Sequence, residues 1–324
     1  MHKLGWLAAA VITATLSQNV QAQSGAYPNK PVKLIVGFAP GGAADYVARS
    51  VGDALARALG QPVIIENKAG AGSSIAAEAA AKAPPDGYTL LIASPSSISV
   101  NPALNPKLGY KASDLQPVTK ITTSPLVLAV YPGTGINSVQ ELIAKAKAAP
   151  GALNYATSGN GSAPHLGASL FEQVAGVRMT HIPFRGGSPA IQSVIAGDTQ
   201  LTFGTPPSVL PMVQAGRLRG LAVSAPEGSP LAPGLPGMRE AGLPDYAIEF
   251  WYGFFVPAGT PPAIVQTIFE ATRTAMLQPS VKAALAREGT DVSLSESTAQ
   301  FAEFLTGDEK FWAGLVKTLD VRTD

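Results

Sequence analysis

Two segments of the chain share one order of features: a buried strand, a glycine-rich turn and the start of a helix. The first runs from Leu34 to Asp45, and the second runs from Leu153 to His165. The start of a helix carries unpaired backbone N–H groups and the positive end of the helix dipole. Glycine lets an anion approach such groups closely. The repeated pattern therefore predicts two lobes that hold one anionic ligand between them, which favours a binding protein over a catalyst.

The first glycine turn, residues 37–42, leads into a predicted helical turn that ends at Asp45. Asp45 could cap this helix start, or pair with Arg49 four residues later. It could also contact a ligand that carries an amine or a hydroxyl group. The alternatives concern only the side chain, because the anion-binding role falls to the backbone of the turn.

The second glycine turn, residues 157–162, adds hydroxyl groups from Thr157, Ser158 and Ser162. His165 follows within the first turn of the next helix. It could make a structural hydrogen bond between loops or contact the ligand. His181 lies inside a predicted strand and is expected in the core.

A third glycine turn, residues 184–187, begins with Phe184 and Arg185. The guanidinium fork of Arg185 matches the two oxygens of a carboxylate, but an ion pair at the surface or between lobes is the alternative. Two further strand ends carry hydroxyl groups. In open α/β sheets, ligands bind outside the carboxyl ends of the strands. The predicted ligand-binding residues are Phe38, Pro40, Gly41, Gly42, Ala43, Asp45, Ser96, Thr157, Ser158, Gly161, Ser162, His165, Phe184, Arg185, Gly186 and Thr205.

Short apolar runs alternate with helical patterns along the chain. Val32–Val36, Val63–Glu66 and Tyr88–Ala93 are predicted strands with helices between them. This β-α-β-α-β order is typical of a parallel sheet with helices on both faces. A second alternating set begins near Leu126, and the aromatic strand Glu249–Val256 is predicted to cross back to the first set.

These patterns predict an α/β protein of two lobes, each a mostly parallel sheet flanked by helices, with the ligand in the cleft between them. The first lobe is predicted to comprise residues 23–125 and 253–324, and the second lobe residues 126–252. Residues 1–22 have the basic start, apolar run and small-residue end of a secretory signal. We expect cleavage near Ala22 and a periplasmic location.

Composition excludes several other classes of protein. The formal net charge is +1 and charged residues make up 14% of the chain, which disfavours binding to nucleic acid or to an anionic membrane surface. The chain has no cysteine and only three histidines, so neither a disulfide framework nor a zinc or iron site is expected. The stretch that begins at Gly70 lacks the third glycine of a dinucleotide fingerprint. We predict no metal and no cofactor.

Several motifs together resemble the Bug receptors, the periplasmic solute receptors of tripartite tricarboxylate transporters. They occur in order over essentially the whole chain after residue 22. They are Val36-Gly37-Phe38-Ala39-Pro40-Gly41-Gly42 with Asp45, Asn67-Lys68 with Gly70-Ala71-Gly72, Pro85-Asp86-Gly87-Tyr88-Thr89, Ser162 with His165-Leu166, Phe184-Arg185-Gly186, Gly216-Arg217-Leu218-Arg219, and Trp251 with Gly253 and Pro257-Ala258-Gly259-Thr260-Pro261.

The resemblance implies a type II-like periplasmic binding fold that closes on a small carboxylate held by backbone amides and ordered water. The implied protein is a monomeric receptor rather than an enzyme. It would deliver a small carboxylate to a membrane permease or a sensor. Because Arg185 is the only basic residue in the five predicted strand-end loops, we expect a mono- or dicarboxylate rather than a tricarboxylate. This chain departs from the family pattern at Ser73-Ser74, where a glycine pair is usual.

Two other functions are compatible with parts of the sequence. A secreted α/β hydrolase or transferase could use Ser158 or Ser162 as nucleophile, but it would need a base and an orienting acid near that serine. His165 lies only three residues after Ser162, which is poor geometry for deprotonation. A scaffold without ligand, in which lobe closure itself is the signal, is the third alternative.

Overall fold

The computed structural model describes residues 27–105 and 107–318, so the predicted signal segment and its cleavage point lie outside the described residues. The described strands form two sheets, with the orders β11-β4-β10-β3-β1-β2 and β7-β6-β8-β5-β9. The strands of the first sheet are β1 (Val32–Val36), β2 (Val63–Asn67), β3 (Thr89–Ala93), β4 (Leu115–Pro125), β10 (Glu249–Pro257) and β11 (Asp291–Val292). Those of the second are β5 (Val127–Val130), β6 (Asn154–Thr157), β7 (Thr180–Pro183), β8 (Leu201–Gly204) and β9 (Arg219–Val223).

Helices flank both sheets, and each sheet with its helices forms one lobe. The α-helices of the described chain are α1 (Ala43–Leu59), α2 (Ser74–Ala81), α3 (Asn101–Leu104), α4 (Val139–Ala148), α5 (Ala163–Ala175), α6 (Gly187–Ala196), α7 (Pro206–Gln214), α8 (Pro262–Met276), α9 (Pro279–Arg287) and α10 (Thr298–Thr318). No helix in the described ranges is both long and apolar enough to cross a membrane.

Local sequence explains the bounds of α1 and α4. Val47, Val51 and Leu55 recur on one face of α1 and are completely buried. Gly60 then ends α1 in a left-handed conformation with φ of 70°, which glycine adopts without steric cost. At the start of α4, the Ser138 hydroxyl accepts a hydrogen bond from the Glu141 N–H, as in a capping box.

Both sheets are mixed, with most strands of each running in one direction. β1 pairs in parallel with β2 and β3, and β6 pairs in parallel with β7 and β8. β10 runs antiparallel to β3 and β4, and β5 runs antiparallel to β8 and β9. The antiparallel strands are the ones that carry the chain from one sheet to the other, so their direction is set by the crossing.

The largest difference from the sequence pattern is β4, because no strand is predicted between Ala93 and Leu126. β4 buries polar side chains at Thr119, Thr122 and Ser124, so its two faces do not alternate apolar with polar. Its register with β10 also shifts twice, which breaks the period of two that marks a strand in the sequence.

The chain crosses between the sheets at two adjacent places, Leu126 and the segment that ends at Ile248. Ser224, which follows β9, joins these two crossings. The Leu126 N–H donates to the Ser224 hydroxyl oxygen at 2.7 Å, and the same hydroxyl donates to the Ile248 carbonyl. The crossings are therefore tied together at a single buried point, as expected for a hinge between two lobes.

Candidate functional site

A cavity lies between the two lobes at the carboxyl ends of the parallel strands. Phe38 and Tyr252 line it from the first lobe, and Ser158 and Thr205 line it from the second. The space between its walls is about 450 Å³, including the part open to solvent. The lobes approach each other closely beside it, since a Cβ built on Gly72 of the first lobe would lie 2.4 Å from the Asn160 carbonyl oxygen of the second. A solute of several carbon atoms must therefore enter a more open form.

Four helices begin at this cavity, one from the first lobe and three from the second. Each helix start contributes the positive end of a dipole, so four such ends converge on one small volume. An anion in that volume is stabilised by all four. The lining residues that belong to helix starts are Ala43 and Ala44 of α1, Ala163 and Pro164 of α5, Gly187 of α6, and Thr205 and Ser208 of α7.

The start of α7 differs from the others in the donors that it offers. Its first two residues, Pro206 and Pro207, have no N–H group. The N–H of Ser208 is already bonded to the Thr205 carbonyl at 3.0 Å. The hydroxyl groups of Ser208 and Thr205 are therefore the donors that α7 presents to the cavity.

The starts of α1 and α6 face each other across the cleft. A methyl group built on Gly42 would lie 3.7 Å from the backbone nitrogen of Gly187. Two positive helix ends at this separation repel each other. A carboxylate placed between them would convert that repulsion into attraction on both sides.

Hydroxyl groups supply the remaining polar surface of the cavity. Those of Ser158, Thr205, Ser208 and Tyr252 make no hydrogen bond to any other residue in the described ranges, and the Ser208 oxygen is fully buried. Thr202 differs, because its hydroxyl donates to the Ala156 carbonyl at 2.9 Å. A buried hydroxyl group without a partner is costly, so the Ser208 oxygen favours a ligand that bonds to it, and the other three hydroxyl groups are available to the same ligand.

No charged side chain lines the cavity in the part of the chain that the structure describes. The remaining wall is apolar or small, which suits the carbon skeleton of a solute. Its residues are Phe38, Ala190, Ile191, Gly204 and Phe250. The site therefore combines backbone dipoles and neutral donors with an apolar wall, a combination that binds an anion of low charge.

Asp45 holds the first glycine turn in shape. Its carboxylate accepts hydrogen bonds from the Gly41 N–H, the Arg49 guanidinium and the Asn67 amide, each at 2.9 Å. Burial raises the pKa of Asp45, but these three hydrogen bonds outweigh burial and hold the pKa below its usual value. All of its described partners are protein groups, and Asp45 does not line the cavity.

The second glycine turn is organised by two histidines, of which His165 is buried and His181, expected in the core, is half-buried. The His165 Nδ1 accepts a hydrogen bond from the Gly161 N–H at 3.0 Å. His181 contacts the Thr157 hydroxyl through Nε2 at 2.6 Å, and the two imidazole rings stack with centroids 3.9 Å apart. The Gly161 N–H is thus already used within the protein. Of this turn, Ser158 lines the cavity.

The third glycine turn lies closer to the surface. Arg185 is exposed and makes no ion pair or hydrogen bond with any described residue. Phe184 faces a separate surface groove that Asn154 and Gln192 also line. Gly186 precedes α6 with φ of 140° and is the N-cap residue, so Ser188 lies inside the first turn of that helix rather than at its cap.

The predicted site residues therefore divide into two groups. Phe38, Ala43, Ser158 and Thr205 line the cavity. The others shape the loops around it or lie farther away. Ser96 lies in a buried turn of π-helix, residues 96–100, beyond the end of β3. Ligand contact by this second group remains a prediction.

Sequence reasoning missed several lining residues, of which Ser208, Phe250 and Tyr252 are the most informative. The Pro206-Pro207 pair is a usable signal for Ser208, because two prolines remove N–H groups from the helix start and leave side-chain hydroxyl groups as its donors to an anion. Phe250 and Tyr252 stand two residues apart on a strand and share a face, but only the three-dimensional structure shows that this face borders the cleft.

The residues do not assemble a catalytic centre in the described ranges. The Ser162 hydroxyl oxygen is buried without a hydrogen-bond partner, and neither His165 nor His181 bonds to Ser158 or Ser162. No group of three or more His, Asp or Glu residues is placed to hold a metal ion in the part that the structure describes. The geometry offers binding surfaces but no activated serine.

Comparison with known proteins gives a family and close structural counterparts. A family model described as tripartite tricarboxylate transporter family receptor matches residues 47–321. Protein BugT of Bordetella pertussis is 35% identical over 309 residues, which cover 95% of this chain and 94% of BugT.

Two solved structures are similar over nearly their whole length. A protein of R. palustris solved with adipate has a TM-score of 0.87 and 31% identity, covering 91% of this chain and 99% of that chain. MatC from Rhodopseudomonas palustris, solved with bound malate, has a TM-score of 0.85 and 31% identity, covering 90% of this chain and 100% of MatC.

Proposed function

Because the chain belongs to the tripartite tricarboxylate transporter receptor family, we propose that it captures a small mono- or dicarboxylate between its two lobes for uptake or sensing. Receptors of this family are periplasmic solute-binding proteins. In this proposal the segment 1–22 directs export and is removed near Ala22. The loaded receptor then delivers its solute to a membrane permease or a sensor protein.

One observation carries the proposal: four helix starts and four hydroxyl groups without a hydrogen-bond partner meet at a cavity that no charged side chain lines, as far as the described residues go. Helix starts favour carboxylates, and the hydroxyl groups can donate to their oxygens. The structural counterparts with adipate and malate are dicarboxylate complexes, which supports the same ligand class.

Screening of acids by thermal and urea unfolding tests this function. We expect mono- or dicarboxylates to stabilise the protein, by about 2.7 kcal/mol at a concentration one hundred times Kd. Citrate should stabilise it much less, because four helix starts without a lining cation do not compensate three buried negative charges. The amide of an active acid is the control for charge. Stabilisation by citrate with no response to acids of lower charge would contradict the proposal.

Binding should shift the protein in solution from an open form to the closed form described here. The closed cavity leaves too little space for a solute to enter, and the repulsion between the starts of α1 and α6 favours an open form when no anion is present. We expect the radius of gyration, measured by small-angle scattering, to decrease when an active acid saturates the protein. An equal radius with and without the acid would argue against lobe closure, and the neutral amide should leave the radius unchanged.

A further inference from the structure

The strand β10 extends past the end of its neighbour β3 and stays paired with β4 there. It runs antiparallel to β3, and Gly253 pairs with Ala93, the last residue of β3. The residues before Gly253 therefore continue past the carboxyl end of β3, towards the second lobe. Phe250 and Tyr252 share one face of this extension, and both line the cavity.

Tyr252 is the lining residue with a hydroxyl group at the end of a long, rigid side chain. Its side chain is 6% exposed, and its hydroxyl makes no hydrogen bond to any described residue. Other tyrosines of this chain do find partners: the hydroxyl of Tyr246 donates to the Gly167 carbonyl at 3.0 Å, and that of Tyr110 donates to the Ser97 carbonyl at 2.6 Å. The Tyr252 hydroxyl oxygen keeps some accessible surface, so it is available to a ligand in the cavity that this residue lines.

The ring of Tyr252 is held in place by aromatic packing. The Phe250 ring lies at 79° to it, with centroids 5.9 Å apart. Trp312 of α10 packs in turn against Phe250 at 6.4 Å, and its indole N–H donates to the Asp308 carboxylate at 2.9 Å. A hydroxyl fixed by its own protein scaffold can select a ligand atom at one position without rearrangement.

We propose that Tyr252 is a specificity-determining residue that donates a hydrogen bond to a solute oxygen other than the carboxylate at the helix starts. The helix starts come from the loops after β1, β6, β7 and β8, whereas Tyr252 comes from a crossing strand and forms a separate wall. The receptor would accordingly prefer a dicarboxylate to the monocarboxylate of the same carbon skeleton. This inference rests on the proposed function.

The electrostatics of Tyr252 agree with a donor role. Burial raises its pKa well above the usual value of a tyrosine, so the phenol is neutral at physiological pH and keeps its proton. A neutral donor suits a carboxylate oxygen, a carbonyl or a hydroxyl group. It contributes no charge of its own, which is consistent with an anion neutralised mainly by helix dipoles.

Titration calorimetry on matched acids tests the proposal. The probes are succinate with butyrate, adipate with hexanoate, and terephthalate with benzoate. We expect the wild-type protein to bind the dicarboxylate of at least one pair more tightly than its monocarboxylate. In Tyr252→Phe this preference should fall by about tenfold, the effect of one hydrogen bond to a charged group, while monocarboxylate affinity changes less than twofold.

Tyr46→Phe is the matched control, because the Tyr46 hydroxyl donates to the Ala284 carbonyl at 2.8 Å and does not line the cavity. This variant should keep the preference of the wild type, and thermal unfolding should show that both variants are folded. An equal loss for both acids of a pair, or an unchanged ratio in Tyr252→Phe, would overturn the proposal. Wild-type protein that binds acids without preferring any dicarboxylate would overturn it too. A protein that responds to no acid in the wider screen contradicts the proposed function itself.

Discussion

Replacing Gly161 with alanine should weaken solute binding by roughly 10- to 100-fold, the equivalent of a packing conflict of 1–3 kcal/mol in the closed state. A Cβ at this position would lie 2.3 Å from Oδ1 of Asn101, which belongs to the first lobe. That distance is far inside van der Waals contact. The conflict exists only when the lobes are closed, so the added methyl group should penalise closure and thereby binding.

Asn101 cannot easily turn away from the new methyl group. Its side-chain amide donates to the Gly72 carbonyl at 2.9 Å and to the Ser74 hydroxyl at 2.8 Å. Gly72 itself approaches the second lobe, since a Cβ there would lie 2.4 Å from the Asn160 carbonyl oxygen. The glycines of this region therefore permit close approach of the two lobes, in addition to the approach of an anion.

Gly176→Ala is the matched control for backbone strain. Gly161 and Gly176 have φ of 68° and 63°, but a Cβ on Gly176 meets no atom within 4 Å. Both variants should lose about 1 kcal/mol of stability, the cost of alanine in a left-handed conformation. Calorimetry with an active acid should then show a loss of affinity only for Gly161→Ala. Equal affinities in the two variants would contradict the closure argument.

The main elements of the fold could be predicted because their signals are local. β1 begins and ends where its apolar run does, and α1 ends at a glycine, Gly60. The resemblance to Bug receptors and the two-lobed α/β fold predicted with it are confirmed by the family match and by the similar structures. β4 could not be predicted, because polar residues such as Thr119 and Thr122 become buried only through pairing with a strand more than 120 residues away.

For the candidate site too, the features set by nearby residues could be predicted, and those set by distant parts of the chain could not. The loops that follow β1, β6 and β8 were predicted as the ligand-binding region, and they provide Phe38, Ser158 and Thr205 to the cavity. Which side chains of each loop face inward depends on the neighbouring lobe. Tyr252 shows this most clearly. The sequence predicts that its strand crosses between the lobes, whereas the position of Tyr252 at the cavity depends on the register of that strand with β3.

Lowering the pH from 7 to 5 should destabilise the protein through the stacked pair of His165, which is buried, and His181, which is half-buried. Burial, assisted by the nearby His181, lowers the pKa of His165 from 6.5 to about 3, and burial lowers the pKa of His181 to about 4. In the unfolded chain both side chains take up protons as the pH falls below about 6.5, whereas in the folded protein they do not. The contribution of the two neutral histidines to the free energy of unfolding is therefore complete above pH 6.5. It is lost progressively as the pH falls towards their pKa values in the folded protein. By pH 5 the loss is about 2 kcal/mol for each histidine.

The geometry of the second glycine turn explains why protonation is unfavourable. The His165 Nδ1 accepts the Gly161 N–H, so a proton on that atom would remove the bond that holds the turn. Glu172 opposes this loss of stability at low pH. Burial raises its pKa, so the folded state binds its proton at a higher pH than the unfolded chain.

Urea unfolding of the wild type and of His165→Gln at pH 7 and pH 5 measures the histidine contribution, since glutamine can still accept the Gly161 N–H but does not titrate. His165→Gln should lose about 2 kcal/mol less than the wild type between these pH values. An equal loss in both proteins would show that His165 does not carry the pH dependence.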